Sequence, residues 1–80
     1  MENNNELINN IEKLHTTKMG IERIKKNLEL DTKDIVKWCK SKIIKSDNIY
    51  KKGKNWYAVG KKYILTINSH SYTIITAHKK

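Results

Sequence analysis

Lys54-Asn-Trp-Tyr-Ala-Val-Gly-Lys-Lys-Tyr-Ile-Leu-Thr-Ile-Asn-Ser-His-Ser-Tyr-Thr-Ile-Ile-Thr-Ala-His78 is the stretch that decides the fold. It is rich in β-branched and aromatic residues, which pack well on the pleated surface of a sheet. Side chains of different character alternate with a period of two, and short segments containing Gly, Asn or Ser separate the runs. The stretch therefore predicts several strands joined by short turns.

The period changes from 3.6 to 2 at Ile49, so we expect strands from there to the end of the chain. The predicted strands cover residues 49–50, 55–59, 62–67 and 72–78. The predicted turns are 51–54, Gly60-Lys61 and 68–71. None of these connections is long enough for a crossover helix, so the sheet should be antiparallel.

The preceding half predicts three helices, because apolar residues recur there at helical spacing. The expected helices cover residues 4–14, 18–28 and 31–44. Thr16 or Thr17 is the expected N-cap of the second helix, and Asp31 that of the third, with Asp34 in its acidic first turn. In the third helix, the residues expected to point inward are Ile35, Val36, Cys39 and Ile43.

Helices followed by a meander indicate an α+β domain with about three N-terminal helices packed on one face of a C-terminal four-stranded antiparallel sheet. We expect residues 1–80 to form one domain, with a helical half (1–46) and a basic β half (47–80). Alternation along the fourth strand divides its residues between the two faces. The set expected to face the helices is Thr73, Ile75 and Ala77. The set expected on the open face is Tyr72, Ile74, Thr76 and His78.

Charge is distributed unevenly along the chain, whose formal net charge is +9. Residues 1–47 contain ten basic and eight acidic residues, whereas residues 48–80 contain seven lysines and no Asp or Glu. A strongly basic half favours a polyanionic partner. We therefore expect a nucleic acid as the partner, ahead of an anionic membrane or an acidic protein. The side chains considered below favour RNA over DNA.

The location is predicted from three further features. No apolar run approaches the roughly 20 residues that a membrane span needs, and the polar start of the chain is unlike a secretory signal. The single cysteine, Cys39, allows no intramolecular disulfide. We expect a cytoplasmic protein without a membrane partner.

Most catalytic classes find no support in the sequence. There is no C-x-x-C or H-x₃-H spacing for a metal and no glycine-rich phosphate loop, so neither metal nor cofactor is expected. The β half has no carboxylate pair. Its histidines, hydroxyls and lysines suit metal-independent RNA cleavage, in which the 2′-OH is the nucleophile and the enzyme moves protons and stabilises charge on the phosphate.

Four residues are candidates for that chemistry. His78 would be the general acid or base, Thr76 and Tyr72 would support it, and His15 is a second histidine that would join if the start of helix two lies beside the sheet. The candidates for nucleic-acid contacts are Arg23, Lys52, Lys54, Trp56, Tyr57, Lys61, Lys62 and His70. Trp56 and Tyr57 point to opposite faces, so only one is free to stack a base. Two surface histidines on a basic sheet are more often bystanders or phosphate contacts than an acid–base pair.

The helices allow a different nucleic-acid reading. Residues 21–28 and 31–44 have the spacing of a helix-turn-helix, and the hairpin 55–67 would be its wing. The polar side of the third helix offers mainly lysines. Lysines contact phosphates without reading base edges, for which Arg, Asn and Gln are usual.

Three segments resemble a family of short bacterial proteins of unknown function. They are His15-Thr-Thr-Lys-Met-Gly-Ile-Glu-Arg-Ile-Lys-Lys-Asn-Leu28, Gly53-Lys-Asn-Trp-Tyr57 and Asn68-Ser-His-Ser-Tyr-Thr-Ile-Ile-Thr-Ala-His-Lys79. With the helix between them, the resemblance covers nearly the whole chain, and it implies no activity.

The tail Thr73-Ile-Ile-Thr-Ala-His78 is similar to the last strand of the barnase–EndoU–colicin–RelE group of ribonucleases. That resemblance implies metal-independent RNase activity of toxin type, a neutralising protein partner, and a site at Thr76 and His78. The chain lacks a clear general-base carboxylate, however. The alternative is therefore a non-catalytic protein: a nucleic-acid-binding regulator, or a phage-type inhibitor that docks its basic face on an acidic or protein–nucleic-acid partner.

Overall fold

The computed structural model describes residues 5–30 and 32–80. Its helices are α1 (Asn5–Asn9), α2 (Lys18–Leu28) and α3 (Ile35–Ile44), with a 3₁₀ turn (Ile11–Lys13) between α1 and α2. Its strands are β1 (Asn48–Lys52), β2 (Asn55–Val59), β3 (Tyr63–Asn68) and β4 (Ile74–Lys79). The strands form one antiparallel sheet in the order β1-β2-β3-β4. The predicted α+β fold is confirmed.

The predicted first helix is interrupted at Asn10. The side chain of Asn10 donates from Nδ2 to the carbonyl oxygen of Glu6 over 2.8 Å. Asparagine side chains compete for backbone hydrogen bonds in this way, which makes them unfavourable inside helices. The result is a short α1 followed by the separate 3₁₀ turn, and Leu7 and Leu14 still reach the core.

Helix α2 has the predicted bounds. The hydroxyl of Thr17 accepts a hydrogen bond from the backbone N–H of Gly20 at 3.0 Å, which makes Thr17 the N-cap. At the other end, Glu29 adopts a left-handed conformation with φ of 54° and closes the helix. Ile24 and Leu28 are buried against the sheet, and α2 packs mainly on β4.

Helix α3 begins later than predicted, because Asp34 is its N-cap. The Asp34 carboxylate accepts from the backbone N–H of Lys37 at 2.9 Å. The expected cap, Asp31, lies outside the described residues. Ile35, Cys39 and Ile43 are buried as expected, whereas Val36 is only half-buried.

The core lies between the helices and one face of the sheet. The four strands contribute one stripe of buried side chains, namely Ile49, Trp56, Ala58, Leu65, Ile67, Ile74 and Ala77. The helices and the segments beside them contribute another, namely Leu7, Leu14, Ile24, Leu28, Ile35, Cys39 and Ile43. Trp56 is therefore a core residue, and the prediction that it contacts nucleic acid is wrong: its ring is only 3% exposed.

A β-bulge in β4 corrects the predicted faces of that strand. Thr66 pairs with Thr76 but the next residue, Ile67, pairs with Ile74, so Ile75 is an extra residue in β4. One extra residue reverses the alternation on one side of it. Ile74 and Ala77 therefore both face the helices, and the prediction that Ile74 lies on the open face is wrong.

The turn between β1 and β2 contains Gly53 and Lys54, as expected. Only Gly53 has a positive φ, of 64°, which is the pattern of a type II′ turn. The turn between β2 and β3 lies one residue later than predicted: the Gly60 N–H donates to the Tyr63 carbonyl over 2.8 Å, and Lys61 and Lys62 form its tip.

The two edges of the sheet differ. The outer edge of β4 is covered by the segment before α2: the Ile74 N–H donates to the His15 carbonyl at 2.8 Å, and the Thr16 hydroxyl donates to the Ile74 carbonyl at 2.9 Å. The other edge strand, β1, pairs only with β2 within the part of the chain that the structure describes. Its Lys51 and Lys52 are exposed, and lysines on an edge strand discourage further pairing.

Candidate functional site

The face of the sheet opposite the helices carries a row of four side chains that runs across all strands. The register aligns Tyr50, Tyr57, Thr66 and Thr76. The neighbouring row contains Asn48, Val59, Ile64 and His78. We call this surface, defined by the two rows, the open face. It contains no acidic residue, since the chain has none after Asp47.

Two tyrosines form an aromatic pair on the open face. The rings of Tyr50 and Tyr57 stack with centroids 5.3 Å apart and an interplanar angle of 23°. Tyr50 is 39% exposed and lies on edge strand β1, with no strand beyond it among the described residues. Its ring is therefore available to a ligand. Sequence reasoning selected Tyr57 but missed Tyr50, whose position depends on the β1–β2 register.

His78 lies at the end of the open face nearest the β2–β3 turn, where it pairs with Ile64. Its side chain is exposed, and within residues 5–30 and 32–80 it has no hydrogen-bond partner. Thr76 lies two residues earlier on the same face. The structure thus places these two predicted site residues side by side.

Helix α2 forms a rim beside Thr76. Asn27 donates from Nδ2 to the Thr76 hydroxyl and to the Ala77 carbonyl, each over 3.3 Å. Arg23 is exposed and lies four residues before Asn27, so the two side chains share one face of the helix. Arg23, a predicted phosphate contact, therefore lies on the same side of α2 as Asn27, one turn earlier. Sequence reasoning missed Asn27, because nothing local signals a contact with a residue 49 positions away.

The other two predicted catalytic residues lie elsewhere. Tyr72 has a φ of 58° and its ring packs on Trp56, with centroids 5.1 Å apart, so it lies on the helix side. The prediction that Tyr72 lines the open face is wrong, because the chain enters β4 only at Ile74.

His15 belongs to a hydroxyl network at the start of β4. Its Nε2 atom is 3.1 Å from the Thr73 hydroxyl, and its Nδ1 atom is 3.0 Å from the Lys13 carbonyl oxygen. The Ser71 hydroxyl is 2.7 Å from that of Thr73. From Thr73 to His78 the strand rises about 16 Å. The four predicted catalytic residues therefore form two separate pairs, His78 with Thr76 and His15 with Tyr72.

The predicted lysine contacts lie at opposite ends of the sheet. Lys52 and Lys54 are exposed at the β1–β2 turn, whose Lys54 carbonyl accepts from the Ser69 N–H at 2.8 Å. This bond brings the β3–β4 turn, with the exposed His70 at its tip, to the same end. Lys61 and Lys62 lie at the far end.

A basic cleft of about 510 Å³ lies at that far end. We call it the lysine cleft; its lining residues are Lys42, Lys45, Asp47, Gly60, Lys61, Lys62, Tyr63 and Leu65. A second hollow beside it shares Lys61, Lys62 and Tyr63 and adds Lys79 and Lys80. In the described part of the chain the only ion pair joins Lys79 to Glu29, at 3.2 Å. The other lysines around the cleft therefore have no carboxylate partner there.

The remaining reactive groups give no catalytic centre. Burial raises the pKa of the Cys39 thiol from 9.0 to about 12, so Cys39 is not a nucleophile at neutral pH. Among the described residues, no three His, Cys, Asp or Glu side chains gather closely enough to hold a metal. None of the described helices is long and apolar enough to cross a membrane.

A comparison with protein families gives one match. The model of a family described as "Protein of unknown function (DUF3781)" matches residues 8–78, which include α2, α3 and most of the sheet. No curated protein and no solved structure matches this chain. The resemblance to proteins of unknown function is thereby confirmed, and the resemblance to ribonucleases gains no support.

Proposed function

This chain belongs to DUF3781, a family of proteins of unknown function, and we propose that it binds single-stranded RNA on the open face of its sheet. The stacked pair of Tyr50 and Tyr57 is the observation that carries the proposal. Aromatic side chains on a basic sheet surface are the usual platform for unpaired bases. Cross-strand aromatic pairs also stabilise a sheet, but Tyr50, which is 39% exposed, keeps surface that a base could contact.

Charge supports the same partner. The open face lies between lysines at both ends of the sheet, with Lys52 beyond one row and Lys80 beyond the other. The strands and turns from 48 to 80 contribute seven positive charges and no negative one. A polyanion that followed the face from end to end would meet no repulsive carboxylate on the sheet.

The rim of α2 adds a directed phosphate contact. The Asn27 amide contacts the Thr76 hydroxyl, and Arg23 lies one turn earlier on the same side of the helix. A guanidinium can hold two phosphate oxygens at once. With the backbone held at this rim, the bases would point across the sheet toward Tyr57 and Tyr50. The proposed interface therefore consists of a phosphate rim, the Thr76 hydroxyl and an aromatic platform.

Single-stranded RNA fits this surface better than duplex DNA. Stacking on tyrosines requires bases that are not already stacked and paired. The helix-turn-helix alternative would use α3 as the recognition helix, but its exposed polar residues are chiefly lysines. These would bind a duplex without sequence preference. In that alternative, substitution of the α3 lysines would weaken nucleic-acid binding more than substitution of Tyr50.

RNA cleavage is a second candidate, favoured by the juxtaposition of His78 and Thr76 beside the rim. His78 would take the proton from a 2′-OH, whose oxygen then attacks the adjacent phosphorus and displaces the 5′-oxygen. Arg23 and Thr76 would stabilise the extra negative charge on the phosphate. Solvent or the protonated His78 would return a proton to the leaving oxygen. His15 and Tyr72 take no part, being about 16 Å away along the strand.

Fluorescence anisotropy with a labelled ten-nucleotide RNA tests the proposal. Tyr50→Ala/Tyr57→Ala should weaken binding by roughly 10- to 100-fold, because one stacked base contributes about 1–3 kcal/mol. The matched control, Tyr50→Phe/Tyr57→Phe, keeps both rings and should bind like the wild type. Equal loss in both variants, or no binding of RNA by the wild type, would overturn the proposal and direct the search to an acidic protein partner.

The cleavage candidate has its own test in the same samples. RNA incubated with the protein in EDTA is compared for the wild type, His78→Ala and His15→Ala. RNA cleavage that is lost in His78→Ala and kept in His15→Ala would establish that the protein cleaves RNA with His78. Binding without cleavage leaves a non-catalytic RNA-binding protein.

A further inference from the structure

The lysine cleft lies apart from the open face and shares no lining residue with it. Its walls come from three places in the chain: the end of α3, the segment before β1, and the β2–β3 turn. Its volume of about 510 Å³ is in the usual range for small-molecule sites. It is lined by four lysines and one acid, Asp47, so its charge is strongly positive.

Two of these lysines have an ordinary structural explanation. Lys42 and Lys45 lie in and after the last turn of α3, where positive side chains complement the partial negative charge of a helix C-terminus. Lys61 and Lys62 are exposed at the tip of the β2–β3 turn and line the same cleft. Because four lysines and one carboxylate line the cleft, an anion that entered it would meet a net positive charge.

One aromatic side chain, Tyr63, lines the cleft and packs on Trp38 behind it. Tyr63 meets Trp38 edge to face, with centroids 5.1 Å apart, and the Nζ atom of Lys42 lies 5.5 Å from each ring centroid. Cation–π contacts of this kind hold an ammonium in place. Lys42 is therefore oriented before any ligand arrives, which reduces the entropy that binding must overcome.

We propose that the lysine cleft binds a linear oligophosphate, the group carried by a nucleoside triphosphate or by the 5′-triphosphate end of an RNA. Such a chain bears three or four negative charges, which match the excess of lysines over carboxylates in the lining. Lysines are suitable partners, since each acts as a point charge that can contact several phosphate oxygens. A single phosphate would neutralise only part of the cluster. The proposal does not depend on RNA binding at the open face.

Titration of inorganic tripolyphosphate into labelled protein, followed by amide chemical shifts at about 0.15 M salt, tests it. The expected shifts are saturable and centre on the β2–β3 turn at Gly60, Lys61 and Lys62. The variant Lys45→Gln/Lys61→Gln/Lys62→Gln should bind about 10- to 100-fold more weakly, from the loss of three charges near the ligand. The control Lys18→Gln/Lys33→Gln/Lys37→Gln removes three exposed charges elsewhere and should bind almost like the wild type.

The two sources of the ligand are then separated with ATP and with RNAs that have a 5′-triphosphate or a 5′-hydroxyl. If ATP binds more tightly than the 5′-triphosphate RNA, the ligand is a free nucleotide. If the 5′-triphosphate RNA binds more tightly than the 5′-hydroxyl RNA, the ligand is an RNA end. Equal weakening in the two triple variants would mean attraction to net charge alone and would overturn the proposal. So would the absence of saturable binding by all three triphosphate probes below about 1 mM.

These outcomes are distinguishable from failure at the open face. Tyr50→Ala/Tyr57→Ala should leave tripolyphosphate binding unchanged, because the aromatic pair does not line the cleft.

Discussion

Asn27 on α2 donates a hydrogen bond from Nδ2 to the hydroxyl of Thr76 on β4, across 3.3 Å and 49 residues of sequence. Its second bond, to the Ala77 carbonyl, attaches the helix to the outer edge of the sheet. This contact holds the side of α2 that carries Asn27 and Arg23 at the β4 edge of the sheet, so it links the stability of the fold to the geometry of the proposed interface.

Replacing Asn27 should therefore affect stability and RNA binding together. Asn27→Ala loses two hydrogen bonds, each contributing about 0.5–1.5 kcal/mol, while alanine's better helix propensity returns a part. We expect a net loss of about 1 kcal/mol in urea unfolding and weaker binding of RNA. Lys26→Ala, at the neighbouring exposed position, is the control; equal stability of the two variants would contradict the role of this contact.

Gly20 allows Thr16 to reach the sheet. A Cβ atom at position 20 would collide with the Thr16 hydroxyl, which donates to the Ile74 carbonyl. Gly20→Ala should therefore destabilise the protein by about 1–2 kcal/mol. In a Thr16→Ala background the same change should be neutral or stabilising by up to about 1 kcal/mol, because alanine favours the helix.

The double-mutant cycle for these two positions is measured by urea unfolding. A coupling energy of about 1 kcal/mol or more is expected. If the free-energy changes of the two single variants sum to that of the double variant within roughly 0.5 kcal/mol, the Thr16 hydroxyl does not constrain position 20.

Cys39 should be inert in the folded protein. Its side chain is fully buried and the pKa of its thiol is raised to about 12. A thiol reagent at pH 8 should react with one cysteine in denaturant and with almost none in native protein. Fast reaction under native conditions would contradict the packing of α3 on the sheet.

The same thiol contributes a pH dependence to stability. Its pKa is higher in the folded than in the unfolded state, so its contribution is complete below pH 9.0 and is lost as the pH rises toward 12. The stability of the wild type relative to Cys39→Ala should therefore fall by up to about 1.4 kcal/mol per pH unit in that range. If the difference in unfolding free energy between the wild type and Cys39→Ala stays constant from about pH 8 to 11, this prediction is contradicted.

The elements that followed from local signals were predicted well. Strand β2 has clean alternation, and α2 has a threonine cap in front of a regular apolar stripe, so both have the expected bounds. Asp34 caps α3, and sequence alone could not identify it, because two aspartates three residues apart both suit an N-cap.

The errors at the site have a long-range cause. The face of Ile74 depends on a bulge that arises only when β4 pairs with β3. The Tyr50–Tyr57 pair depends on the β1–β2 register, and Asn27 depends on how α2 lies against β4. In each case a residue's partner lies in another element, so the pattern around the residue itself carries no signal.

Mapping of amide chemical shifts during titration with a single-stranded ten-nucleotide RNA, at about 0.1 M salt, tests RNA binding at the open face most directly. We predict saturable shifts that centre on Tyr50, Tyr57, Thr66, Thr76 and His78 and extend to Arg23, with residues 33–41 unchanged. Shifts centred on the lysines of α3, or a clear preference for duplex DNA under the same conditions, would contradict the proposal.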